Sequence, residues 1–417
     1  MNTIALVTGS EGFLGRNLCA QLRRRPGWEV IGFDLHSGPD ALRDGLAKAD
    51  VVFHLAGINR PTNVAEFATG NTEFTAGICR MLASMSRRPA ILFSSSIQAE
   101  LDNPYGKSKL EAENALRAYC AEVGGVAVVH RFKNLFGKWS RPNYNTVTAT
   151  FCHNIARGLP VSIRDPKAEI DLSYVDDVVA ALIADAEATL KAPAGTFRMA
   201  EPVKSRRIAL GDLAALIQAF KDHRQTLMLA DYSDSFVQAL YATYLSFLPT
   251  EDFAYSLLKR EDNRGSLAEF VKTKGAGQIF VSRTKPGITR GNHFHHTKTE
   301  KFLVLEGQAI IRFRAIDLPA ISAPGSELPG PSSSLPAASS SPQASGSALP
   351  APNSSLHAPC SALLEFPVCG EDYRVVDIPP GYTHSIENVG DTTLVTLFWA
   401  SEVFDPQKPD TYMENVR

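Results

Sequence analysis

Four residues constrain this chain more than any other feature: His293, His295, Glu300 and His384. The first three fall in the stretch Gly287 to Gly307, GITRGNHFHHTKTEKFLVLEG. Side chains alternate along a strand, so His293 and His295 share one face. Glu300 follows after a turn-sized gap, and Phe302-Leu303-Val304-Leu305 reads as the returning strand. Far downstream, Pro379-Pro380-Gly381-Tyr382-Thr383-His384 brings in a third imidazole, with Asn388 four residues on. Three imidazoles and a carboxylate make a ligand set for a borderline divalent ion such as zinc, iron or manganese. A single H-x-H is common on solvated hairpins, whereas this fourfold pattern with distant closure is rare by chance.

The spacing G-x5-H-x-H-x4-E-x6-G, followed by P-x-G-x2-H-x3-N, resembles both signature motifs of the cupin barrels. The resemblance implies a small all-β barrel with a divalent metal, zinc first, held by His293, His295, Glu300 and His384. Alternating strands at short spacing through this half suit such a barrel.

A chain of 417 residues exceeds one typical domain. A net charge of -2 offers nothing to nucleic acid or an anionic membrane surface. Apolar runs fall short of spanning length, and no basic segment precedes one, so neither a membrane anchor nor a secretory leader is expected. The six cysteines are scattered without any C-x-x-C, which points to a reduced, cytoplasmic protein.

The other half opens with the buried-strand run Ile4 to Val7. It leads into Thr8-Gly9-Ser10-Glu11-Gly12-Phe13-Leu14-Gly15, and a helix is expected over residues 16–25. In that setting Gly9, Gly12 and Gly15, with Phe13 and Leu14 in the same turn, form a phosphate-binding turn. Backbone must approach a pyrophosphate closely, and the helix N-terminus supplies N–H donors. A second strand ends in Asp34, where a carboxylate meets the adenosine ribose hydroxyls. A third ends in Leu55-Ala56-Gly57, small enough to let a dinucleotide lie close. Beyond the run Ser94-Ser95-Ser96 comes Asn103-Pro104-Tyr105-Gly106-Lys107-Ser108-Lys109. Tyr105 and Lys109 stand four apart at a helix start and share a face. The lysine cation is expected to favour phenolate, making Tyr105 an acid/base, while Ser96, with Ser95 second, bonds a substrate oxygen.

These pieces resemble the extended short-chain dehydrogenase/reductases, which implies a Rossmann-type doubly wound α/β parallel sheet with a nicotinamide cofactor. Arg131 with Asn134-Leu135-Phe136-Gly137 resembles that family's R-x-x-N-x-x-G stretch, although Lys133 stands where a proline is usual. Arg131, Asn134 and Asn143 then take substrate-binding roles by resemblance. Tyr174-Val175-Asp176-Asp177-Val178 resembles its V-D-D-V element, which reads as structural. The gap from Ser96 to Tyr105 is shorter than in most extended members, so a tight loop is expected.

Residues 1–250 are expected as the reductase domain and 251–417 as the barrel domain. The segment 319–361 interrupts the latter with 9 prolines and 13 serines in 43 residues and one charged side chain, Glu327. Such a composition cannot bury enough apolar area to offset chain entropy, so a disordered loop is expected. Its flanks, Ile310-Ile311-Arg312-Phe313 and Tyr373-Arg374-Val375-Val376, read as neighbouring strands.

Over nearly the whole length the arrangement resembles the bifunctional capsular polysaccharide synthesis enzymes that make the activated precursor of N-acetyl-L-fucosamine. FSSSIQA, DNPYGKSKLE, NLFGKW, GNHFHHTKTEKFLV and DIPPGYTHSIENVGDT carry the likeness. The resemblance implies a homodimer acting on a UDP-linked 2-acetamido-2,6-dideoxy-4-ketohexose, with C3 epimerised in the barrel and C4 reduced in the Rossmann half. It also implies NADPH, whereas Asp34 would repel a 2′-phosphate and suits NADH; Arg60 and His36 are the residues able to compensate. A contrasting class is a non-catalytic sugar-nucleotide sensor, which has no need of Tyr105 and Lys109.

Overall fold

The computed structural model describes residues 2–144, 146–316 and 363–417. The Ser/Pro-rich segment expected over 319–361 lies outside the described residues. The chain divides into two compact units, Met1–Tyr255 and Ser256–Arg417.

The first unit begins with β1 (Thr3–Thr8), α1 (Phe13–Leu22), β2 (Trp28–Phe33), α2 (Pro39–Lys48) and β3 (Val51–His54). A short α3 (Ala65–Phe67) runs through a π-helical turn, Ala68–Glu73, into α4 (Phe74–Ala83). Then come β4 (Ala90–Ser96), α5 (Pro104–Val123), β5 (Ala127–Phe132), β6 (Asn134–Phe136), α6 (Val147–Ala156), β7 (Glu169–Tyr174) and α7 (Val175–Thr189). The unit closes with β8 (Phe197–Met199), β9 (Arg206–Ala209), α8 (Leu210–Thr226) and α9 (Ser235–Leu245). The main sheet is parallel in the order β2-β1-β3-β4-β5-β8. Its strands are apolar on both faces because helices cover both. Leu18, Leu22, Val179 and Leu182 of α1 and α7 pack one side; Leu42, Leu46, Leu116 and Tyr119 of α2 and α5 pack the other. The strand order reverses direction between β1 and β3, so the ligand crevice of this doubly wound sheet lies beyond their C-terminal ends.

Sequence reasoning started α1 three residues late. Gly15 belongs to the helix rather than to the loop, since a Cβ there would lie 2.0 Å from the carbonyl oxygen of Gly9. Only glycine lets the first helical turn pack so closely on the strand end.

The second unit comprises β10 (Lys259–Asp262), β11 (Gly265–Thr273), β12 (Gly277–Thr284), β13 (Thr289–Phe294), β14 (Glu300–Glu306) and β15 (Gln308–Ala315). Further along the chain are β16 (Leu364–Cys369), β17 (Val375–Ile378), β18 (Tyr382–Asn388), β19 (Leu394–Ala400) and β20 (Tyr412–Met413). They form two antiparallel sheets, β10-β11-β12-β19-β14-β17 and β16-β15-β18-β13-β20, a cupin-like β fold. Phe302 and Phe398, with ring centroids 4.4 Å apart, anchor the core with Ile311, Phe313 and Ile386. The strand that returns beside β15 is β16, not the Val375-Val376 run, which pairs with β14 instead. Pro367 obscures β16 in the sequence; it is tolerated because β16 is an edge strand that need not donate on its free side.

Candidate functional sites

The first site gathers at the C-terminal ends of β1, β3 and β4. The turn after β1 is clamped to β2 by the Gly9 N–H on the Phe33 carbonyl (2.8 Å) and by the Glu11 N–H on Asp34 Oδ2 (2.8 Å). Asp34 Oδ1 accepts the Leu35 N–H at 2.8 Å, so the carboxylate that sequence reasoning gave to ribose also braces the turn. Helix α1 has Gly12 at its N-cap with no side-chain cap, leaving its first N–H groups for a pyrophosphate. Leu55, Ala56 and Gly57 follow β3 on the facing side. Thr8 Oγ1 meets His54 Nδ1 at 2.8 Å, and His54 Nε2 meets Thr75 Oγ1 at 2.9 Å. Burial, helped by the Lys109 charge, lowers the pKa of His54 to about 3, so this link is neutral.

Helix α5 delivers the acid/base pair. Asn103 caps it by accepting the Gly106 N–H at 2.8 Å, and Pro104 occupies the first turn. A 3-10 turn, Ile97–Glu100, closes the short gap after β4 as expected and packs so tightly that a Cβ on Gly106 would lie 2.1 Å from the Gln98 carbonyl oxygen. Tyr105 and Ser96 share a side-chain hydrogen bond. Ser95 is excluded as the substrate contact because its hydroxyl donates to buried Glu113 at 2.5 Å.

Lys109 Nζ donates to the Ser94 carbonyl at 2.9 Å and sits 6.0 Å from the Tyr105 ring centroid. Its burial lowers its pKa to about 8, with Glu113 opposing. The Tyr105 phenol is pushed up by burial, which outweighs the Ser96 hydrogen bond. The Lys109 ammonium is thus held by a carbonyl, and burial moves the Tyr105 phenol up, against the lowering expected from a lysine cation beside it.

Arg131 is not free for a ligand. Its guanidinium grips Glu113 at 2.9 and 2.6 Å and Glu100 at 2.8 Å, which ties β5 to α5. Asn134 donates to the Asp171 carbonyl at 3.3 Å, and Asn143 sits in the left-handed region (φ 55) with its N–H on Thr150 Oγ1. These three lie on β5, on β6 and in the loop that follows it. Asp176, read as structural, bonds Lys138 and Gln21. Sequence reasoning missed Asn71. It accepts the Ile58 N–H at 2.9 Å and donates to Ser108 Oγ at 3.0 Å. A Cβ on Gly57 would touch both Asn71 Oδ1 (2.8 Å) and Lys109 Nζ (3.0 Å). The π-helical turn that presents Asn71 is a frequent mark of a functional position, and Gly70-Asn71 inside a helical run was the available signal.

The second site is built between the two sheets of the second unit. His293 on β13 pairs directly with His384 on β18; Glu300 starts β14 in the opposite sheet. A bulge between Gly291 and His293, with Asn292 at φ 59, re-aims the end of β13. One donor atom from each of His293, His295, Glu300 and His384 falls within 4.8 Å of the others. Glu300 Oε2 is 3.5 Å from His295 Nε2 and 3.4 Å from His384 Nε2. Both of those buried nitrogens lack a hydrogen-bond partner, and burial with its imidazole neighbours lowers the His293 pKa to about 4. Burial alone would raise the Glu300 carboxyl, but the two imidazoles pull it well below the usual range. Orphaned nitrogens aimed at a carboxylate, in a set of three imidazoles and one carboxylate, fit a divalent cation.

Asp410 was invisible to the motifs. Its carboxylate accepts the N–H groups of His296 (2.9 Å), Thr297 (2.7 Å) and Lys298 (2.8 Å), and its carbonyl meets His295 Nδ1. Strand β20 pairs with β13 at His293 and Phe294, and Thr383 Oγ1 donates to the Glu414 carbonyl at 2.5 Å. The last residues thus hold three of the four ligand-bearing segments. Of the residues near the cluster, Lys298 is buried, its amine 3.9 Å from Glu300 Oε1 and 3.0 Å from Thr411 Oγ1. His296 is exposed against the Tyr412 ring, and Asn388 is wholly structural, bonding the carbonyls of Thr284 and Thr392.

Two sites of this kind, a parallel-sheet oxidoreductase centre and a histidine-rich β centre, define a two-domain enzyme of the dinucleotide-dependent class. Comparison with known proteins agrees. Residues 5–197 match the NAD dependent epimerase/dehydratase family, and residues 260–323 and 356–412 match the polysaccharide biosynthesis C-terminal domain. A UDP-2-acetamido-2,6-beta-L-arabino-hexul-4-ose reductase from Pseudomonas aeruginosa is 40% identical over 98% of this chain and 97% of its own. The crystal structure of the capsular polysaccharide assembling protein CapF from Staphylococcus aureus superposes with TM-score 0.82 at 40% identity, covering 100% of both chains. CapF with the inhibitor 3-isopropenyl-tropolone gives TM-score 0.77 at 36% identity over 99% of this chain and 100% of that one. The chain belongs to this family of bifunctional capsular polysaccharide enzymes. No described helix is long and apolar enough to cross a membrane.

Proposed function

We propose that the second unit epimerises C3 of a UDP-2-acetamido-2,6-dideoxy-4-ketohexose and the first reduces C4 with NAD(P)H, giving UDP-2-acetamido-2,6-dideoxy-L-talose for surface polysaccharide synthesis. One observation carries the reading: a single chain holds the Ser96–Tyr105–Lys109 group at a parallel-sheet crevice and a buried His293–His295–Glu300–His384 cluster. The Pseudomonas relative's name, a reductase of a UDP-linked 4-ketosugar, supports the substrate class.

Gly9, Gly12, Phe13, Leu14 and Gly15 at the N-terminus of α1 would hold the pyrophosphate, with Asp34 on the adenosine ribose and Leu55 to Gly57 opposite. The four ligands of the second unit would hold zinc, or another divalent ion of similar preference. Bound there, a reduced nicotinamide supplies hydride, and a cation supplies positive charge at an enolate oxygen. In the first unit Ser96 orients the C4 carbonyl, and the Tyr105 phenol gives its proton to that oxygen as hydride reaches C4. In the second, the C3 proton leaves beside the ketone and returns on the other face; His296, Lys298 and Tyr382 are the nearby groups able to carry it. Asp34 disfavours a 2′-phosphate, whereas the resemblance implies NADPH, so kcat/KM for both dinucleotides decides the donor.

The pH dependence follows in sign. Tyr105 must be protonated to act as acid, and its pKa is raised. Lys109 must be protonated to keep its charge at the site, and its pKa is lowered to about 8. Both are protonated below pH 8, so reduction is expected to be flat there and to fall as pH rises through about 8. A rate that climbs with pH across this range would contradict the assignment.

A further inference from the structure

Two exposed arginines from separate loops of the first unit converge on one aromatic ring. The guanidinium carbons of Arg60 and Arg141 lie 5.9 and 5.0 Å from the Tyr144 ring centroid. Among the described residues neither makes an ion pair, in contrast to Arg131, Arg198 and Arg207, which all meet carboxylates. The two charges therefore stand within about a Debye length of each other, where they repel unless an anion lies between them. A half-buried phenol ring offers a platform that fixes both guanidinium planes by cation–π attraction. Such planes are suited to bidentate contact with phosphate oxygens.

Their place relative to the chemistry identifies the anion. Arg60 follows three residues after Gly57, where a Cβ would lie 3.0 Å from Lys109 Nζ. Three residues span roughly 10 Å at most, so the Arg60 loop borders the acid/base group. A hexose whose C4 oxygen sits at Tyr105 places its anomeric phosphate about one sugar ring away, on that border. We propose that Arg60 and Arg141, held on Tyr144, clamp the diphosphate of the sugar nucleotide; the inference rests on the reductase reading above. The 2′-phosphate of NADPH offers the same chemistry. Its place, however, is beside Asp34 at the end of β2, and Arg60 packs on Tyr144 instead.

The test is calorimetric titration of the full-length protein with UDP, NADPH and NADH. Wild type, Arg60→Gln, Arg141→Gln and Arg60→Lys are compared. Each Gln variant should bind UDP about tenfold or more weakly, the loss expected for a hydrogen bond to a charged group. Arg60→Lys should recover part of the affinity, and both dinucleotides should bind as in wild type. Unchanged UDP affinity in both Gln variants would overturn the clamp while leaving the reductase reading intact. A loss confined to NADPH would overturn it in favour of the 2′-phosphate. A wild type that binds no UDP at all would sink the reading and the clamp together.

Discussion

Tyr105→Phe is expected to lower cofactor oxidation with the 4-ketosugar between about a hundredfold and ten-thousandfold, the usual worth of a positioned general acid. The phenol is the proton donor that the proposal assigns to the carbonyl, and Ser96 shares a hydrogen bond with it. Phe keeps the ring contact to Phe67, whose centroid is 5.5 Å away, so folding should be spared. Exchange of the C3 proton with solvent deuterium should continue at the wild-type rate, because the proposal gives that step to the second unit. Stopped-flow absorbance for the dinucleotide and NMR for the exchange separate the two. Cofactor oxidation at the wild-type rate in this variant would remove Tyr105 from the chemistry.

The second large effect concerns His384. Its side chain is fully buried, with Nε2 lacking a hydrogen-bond partner and 3.4 Å from Glu300 Oε2. His384→Ala deletes one of four donors and leaves space beside the rings of Phe302 and Phe313. If the proposed ion is zinc, protein purified without added metal should hold much less of it than wild type by elemental analysis, and C3 exchange should fall with it. Asp410→Ala leaves all four donors, and the carbonyl that meets His295, but frees the loop after His295 by removing the carboxylate that accepts the His296, Thr297 and Lys298 N–H groups. A looser metal, about ten- to a hundredfold weaker, is expected there, as for other groups that orient a ligand. Reduction of a substrate already epimerised at C3 should survive in both variants. Full zinc content in His384→Ala would contradict the ligand set; lost zinc with undiminished exchange would make the ion structural.

Much of this was legible in the sequence, for definite physical reasons. Strand alternation places His293 and His295 together, and the glycine turn after β1 declares itself because few residues tolerate such close packing. Tyr105 and Lys109 share a helical face by spacing alone. What spacing does not convey is the partner each group prefers. The ammonium of Lys109 is held by the Ser94 carbonyl, and burial raises the Tyr105 phenol. Arg131 found Glu113, eighteen positions away, and Asp410 found His295 across more than a hundred. Such pairings depend on register and bulges that no local pattern records. The long Ser/Pro-rich segment had the same effect on topology, separating β16 from its partner β15 and lending the role to β17.

The central claim is that C3 epimerisation and C4 reduction are successive acts of one chain. It is tested most directly by NMR of the product formed from UDP-2-acetamido-2,6-dideoxy-4-ketohexose and unlabelled reduced cofactor in deuterated buffer. The account predicts deuterium at C3 with inverted configuration, and protium at C4 delivered from the dinucleotide. A reduced product carrying protium and the original configuration at C3 would contradict it.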